Sequence, residues 1–208
     1  MKTTTIFGVA EEAQALGYRT LALSNHLVAE SLMVKMIARS AANGYGISEA
    51  TRQKSWALQL GFEDDQAEAA RQDYDAVLCE HHLEFIRSLE SAALGTPETE
   101  VEKMLTGVRK SDLVIYLASN PVVASQRKGG PLGRDVAALG RMDNLLESRA
   151  RECPNWFRVE TVERESEAIV GDCFAAILQF AFRKSLIPDR STWLCMTQST
   201  DSIERSLE

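Results

Sequence analysis

Two short stretches of the chain concentrate groups able to handle phosphate. Arg127-Lys128-Gly129-Gly130-Pro131-Leu132-Gly133-Arg134 sets three cations around glycines. A segment that must close over phosphate and then withdraw needs that combination. Cys79-Glu80-His81-His82 follows the strand-like run Tyr74–Cys79 (YDAVLC), which puts Glu80 at the C-terminal end of a strand, where ligands bind in open α/β sheets. Its carboxylate could hold Mg²⁺ through water or orient an acceptor. These four residues do not suit a shared metal ion, because neighbours along a strand point to opposite faces. His82 reads as a helix-start residue. At the chain's start, Lys2-Thr3-Thr4 opens a helical pattern, and a threonine there serves at least as a cap.

The elements that must position these groups alternate short apolar runs with longer helical patterns, the signature of a parallel sheet wrapped by helices. A helix is predicted from about Thr3 to Leu16, with Ile6, Val9, Ala10 and Ala13 on one face and Gly17 as its stop. Strands are predicted at Tyr18–Ser24, Tyr74–Cys79, Asp112–Ala118 and Phe157–Val162, with an edge strand at Thr192–Thr197. The nearly unbroken apolar run of Asp112–Ala118 suits burial on both faces. Further helices are expected at about 27–42, 48–72 with Ser48 as cap, 82–94, 97–109 with Pro97 at the first position, a short one ending at Arg127, 135–152 and 166–182.

Composition bounds the function. The 208 residues are 45% hydrophobic and 25% charged, which suits one globular domain over 1–208. The formal charge of −7 argues against a general nucleic-acid or membrane surface. Cys79, Cys153, Cys173 and Cys195 are dispersed without CxxC pairing and read as reduced thiols. No apolar run reaches membrane-span length and no signal peptide is legible, so a cytoplasmic protein is expected.

Taken together, these segments resemble the P-loop nucleoside and nucleotide kinases, of the thymidylate kinase or deoxynucleoside kinase type, with a weaker likeness to AAA-type P-loop kinases. Lys2 and Thr3 are similar to the last positions of GxxxxGK[ST], without the glycines and the strand before them. YDAVLCEHH resembles the kinase strand that ends in an acidic residue followed by Arg, a place taken here by His81. The most specific likeness is DLVIYLASNPVVASQR, a strand running into a short helix that ends in Arg, followed by a lid at 127–135. A helix, a strand, a C-terminal helix and a polar tail over 198–208 complete the pattern.

The resemblance implies a three-layer α/β/α parallel sheet lacking its first, central strand. The strands at Tyr74–Cys79 and Asp112–Ala118 would flank that position, and should either leave a gap or come together. It also implies ATP and Mg²⁺ as cofactors: Lys2, Thr3, Thr4 and Lys128 on the nucleotide, Thr3 and Glu80 at the metal, and Glu80, Arg127 and Arg134 in catalysis. Arg141 and Arg149 are weaker candidates for the phosphates. Glu30, or Arg52, Gln53 and Trp56, could serve the acceptor. The partner would be a small phosphate acceptor, and a homodimer stays open. The alternatives are a degenerate, non-catalytic relative, which His81 favours, and a P-loop ATPase.

Overall fold

A computed structural model describes residues 2–23, 48–80, 83–127 and 135–186. Helix α1 (Lys2–Ala15) ends as its sequence predicts. Gly17 takes φ +88°, its N–H donates to the Gln14 carbonyl at 2.9 Å, and the Tyr18 N–H donates to the Ala13 carbonyl at 3.0 Å. These are the two bonds of a glycine-closed helix end, and they reverse the chain into β1 (Thr20–Leu23). The Thr20 hydroxyl then donates back to the Ala10 carbonyl, tying strand to helix.

Helix α2 (Glu49–Ala70) starts at Ser48, whose Oγ accepts from the Thr51 N–H at 3.2 Å. It leads to β2 (Ala76–Cys79). Helix α3 (Leu83–Ser88) runs into a π-helical turn (Leu89–Ala93). That turn brings the Glu90 side chain fully inside, where it accepts from Trp56 Nε1 at 3.1 Å and from the Thr96 hydroxyl at 2.8 Å. Helix α4 (Glu98–Met104) is capped by Pro97 rather than starting on it, and it ends earlier than the predicted Arg109. The reason is Gly107 at φ +88°, which turns the chain towards β3 (Val114–Ala118). Helix α5 (Pro121–Arg127) follows, with Asn120 Oδ1 accepting from the Val122 N–H at 2.8 Å. Then come α6 (Val136–Glu152), β4 (Trp156–Glu160) and α7 (Ser166–Arg183).

The protein is therefore mixed α/β, with seven α-helices among the described residues. Its four short strands form two parallel pairs rather than one sheet. Thr20 to Leu23 face Ala76 to Cys79, and Val114 to Ala118 face Trp156 to Glu160. β2 and β3 do not hydrogen-bond to each other. The β3–β4 pair is covered on both faces, as its apolar run requires. Ile115, Leu117 and Val159 pack into a core built by α1 and α7 around Ile169, Cys173 and Phe174. Tyr116, Ala118 and Trp156 turn the other way, against Leu146 and Ala150 of α6. Leu78 of β2 joins the first core, so α1 and α7 link the two pairs. The helix expected at 27–42 and the strand at 192–197 lie outside the described residues.

Candidate functional site

Because α1 reverses into β1, its first residues point back towards the C-terminal end of the β1–β2 pair. Glu80 stands at that same end. Its N–H donates to the Leu23 carbonyl at 3.1 Å, which extends the ladder by one bond and fixes the backbone that carries the half-buried carboxylate. Thr4 is exposed. The side chains of Lys2, Thr3, Arg52 and Arg127 lie outside what is described, as do His81, His82, Lys128 and Arg134. The backbone of Arg127 closes α5, which leaves the C-terminal end of β3.

The residue that sequence reasoning missed is Glu63. It lies on α2 and is 5% exposed. Gln59 Nε2 donates to its Oε1 at 3.1 Å, while Oε2 has no hydrogen-bond partner. Burial pushes its carboxyl up to about 7, partly countered by the Gln59 bond and reinforced by the negative charges of Asp64 and Glu80. A carboxyl poised near neutrality, close enough to Glu80 to feel its charge, can take or give a proton at physiological pH. A signal did exist: Trp56, Leu60 and Glu63 recur at helical spacing on the inward face of α2, so an acid occupies a core position.

Cys79 is close enough to feel the same charges. Burial, with Glu63 and Asp64 adding to it, pushes its thiol up to about 12. Cys173 is pushed up to about 11 by burial. Thiols held in that range are poor nucleophiles at neutral pH.

A cavity of about 210 Å³ opens at the C-terminal ends of β3 and β4, lined in part by Ser119, Asn120, Asp143, Arg158 and Glu160. Its charges are largely paired. Arg158 bonds to Glu147 Oε2 at 2.6 Å and to Glu160 Oε2 at 2.8 Å, and the Tyr116 hydroxyl donates to Asp143. Burial and that bond push the Tyr116 hydroxyl well above its ordinary range, so it stays protonated.

Mg²⁺ prefers hard oxygen donors and keeps several waters. The carboxylate of Glu80 is a donor of that kind, whereas the Oε2 of Glu63 is sealed from solvent. Among the described residues no three His, Cys, Asp or Glu side chains converge on one point, so a cation here would take most of its ligands from water and a bound phosphate. Among the described residues, too, no helix is long and apolar enough to cross a membrane. No protein-family model matches this chain, and no curated protein is similar to it at a significant level.

Proposed function

We propose that this chain is a P-loop kinase-like protein that binds ATP with Mg²⁺ and transfers a phosphoryl group to a small acceptor of the nucleoside or nucleotide type. The observation that carries the reading is the division of four parallel strands into β1–β2 and β3–β4, with α1 and α7 packed across both. In kinases of this type the strand bearing the phosphate loop lies between the strands that β2 and β3 resemble. A sheet divided at that place is what the resemblance leads one to expect.

In this reading Lys2 sits on the phosphates, with Thr3 and Thr4 at the helix start. Glu80, with Thr3, supports Mg²⁺, and Arg127, Lys128 and Arg134 close over the transferring group. When bound, Mg²⁺ would neutralise charge on the phosphates. Glu63 adds a proton acceptor near Glu80, a role that no residue of the motif-like segments fills.

Calorimetric titration of ATP–Mg²⁺ into the chain, beside Lys2→Ala and Glu80→Gln, tests the reading. Binding weakened by both substitutions, with ADP released only when a nucleoside or nucleotide is added, is the expected result. Binding without transfer would assign the degenerate relative, which His81 in the place of Arg favours. If ATP–Mg²⁺ does not bind the unsubstituted chain, the kinase reading fails.

A further inference from the structure

A second cavity, of about 140 Å³, lies at the opposite ends of the same strands, where Val114 begins β3 and Trp156 begins β4. Arg87 of α3, Lys110 and Ser111 of the loop before β3, Arg149 of α6 and Asn155 line it, with Glu84 as its one acid. Three cations against one carboxylate is a pronounced local excess in a chain of net charge −7.

Two of those cations, Lys110 and Arg149, are uncompensated among the described residues, whereas Arg87 is paired. Arg87 is held by Glu102, with Nη1 to Oε1 at 2.8 Å. Its Nε, however, is 3.7 Å from Glu84 Oε2 and is buried without a hydrogen-bond acceptor. A buried donor left unmet costs more than a bond gains. Lys110 and Arg149 make no side-chain ion pair or hydrogen bond among the described residues. The neighbouring Arg151 behaves as a surface arginine usually does and pairs with Glu147 at 3.0 Å. Cations near a helix C-terminus favour the dipole, which accounts for Arg149 on α6 but not for Lys110 and Arg87 meeting it across a cleft. Cavities that take nucleotide-sized ligands run to roughly 300–1,000 Å³, so this one suits a single tetrahedral oxyanion.

We propose that the cleft between α3, the β3 approach and the end of α6 is a binding site for one phosphate group, free or as the phosphoryl end of a small monoester. Arg149 and Lys110 supply charge from its rim, and the Arg87 guanidinium, held by Glu102 and Glu84, adds charge from beneath it. The site is separate from the end of the sheet where Glu80 stands and does not depend on the kinase reading.

The test is calorimetry on the full chain at constant ionic strength, with inorganic phosphate, glycerol phosphate and chloride as separate titrants. Saturable one-to-one binding of phosphate or of the monoester is expected, with affinity reduced about tenfold or more in Lys110→Ala and in Arg149→Ala, as for loss of a charge-assisted contact. Arg151→Ala, which removes a nearby charge outside the cleft, should leave binding unchanged. Saturation by the monoester alone would identify an esterified ligand. No saturation in the millimolar range, equal binding of chloride, or an equal loss in Arg151→Ala overturns the proposal. Folding of each variant is checked by its thermal transition without anion, since both substituted side chains reach solvent at the rim.

Discussion

Glu63 and Glu90 are both buried carboxylates, and their surroundings give them opposite consequences. Glu90 is met on both oxygens, by Trp56 Nε1 and by the Thr96 hydroxyl. Glu90→Ala strands those donors and opens a void, so a loss of about 2–4 kcal/mol is expected in urea denaturation. Glu63 is met on one oxygen only, and its folded-state carboxyl is raised from 4.5 to about 7. The folded state therefore holds a proton that the unfolded chain releases. The stability this contributes is fully present below about pH 4.5 and is lost as pH rises through about 7. Glu63→Gln keeps a polar group for Gln59 and removes the charge. It should flatten stability against pH across that window and gain about 1–3 kcal/mol at pH 8. A variant that retains the wild-type slope would move the titration to another group. In the kinase reading, the same substitution lowers turnover while leaving ATP binding in place.

Two helix-interior glycines make opposite predictions at the level of elements. A Cβ on Gly8 of α1 would lie 2.8 Å from Val170 Cγ2 and 3.3 Å from its Cγ1. Val170 belongs to α7, and its β-branched side chain has little rotamer freedom in a helix. Gly8→Ala should therefore destabilise by about 1–3 kcal/mol, because overpacking outweighs the helix-propensity gain. Gly61 of α2 has nothing within 4 Å of the same position. Gly61→Ala should stabilise by about 0.5–1 kcal/mol. Thermal melts of the pair decide the matter, and a stabilised Gly8→Ala would mean that α1 and α7 pack less closely than described. Local chemistry made most of these elements legible in advance. Gly17 closing α1, Ser48 opening α2 and the apolar run of β3 each act through neighbours a few residues away. The π-helical turn at Leu89–Ala93 was not legible, because the Glu90 that it turns inward bonds to Trp56 of α2, far away in sequence. Gly107 offered a stop for α4 that the apolar periodicity around it obscured. Of the site, Glu80 at the end of β2 could be placed from the strand pattern. The core position of Glu63 could be read from its helical spacing with Trp56 and Leu60, but its raised carboxyl could not, because that arises from burial against β2, a contact that the order of residues along α2 does not display.

Which strands pair is a property of the whole molecule. The four strand segments can be read one by one, but nothing local in Ala76–Cys79 or Val114–Ala118 says that these two remain apart. Only the packing of helices across them decides it. The core around Ile169 draws on α1, α7, β2, β3 and β4 together. The core around Ile86 draws on Leu60, Leu83, Val101 and Leu105, all from α2, α3, α4 or the turn after α4, and contains no strand residue. Ile169 and Ile86 are both fully buried, so truncating either to alanine removes the same side-chain atoms at a cost of about 2–5 kcal/mol. The consequences should nonetheless differ in extent, because proteins open in cooperative units set by shared packing. Amide hydrogen exchange on Ile169→Ala is expected to accelerate in β1–β2 and in β3–β4 alike, since α1 and α7 are what the two pairs share. Ile86→Ala should accelerate exchange first in α2, α3 and α4 while both strand pairs keep their protection. If Ile169→Ala instead loosens β3–β4 and leaves β1–β2 as protected as before, the two pairs are held independently, and α1 with α7 is not the bridge between them.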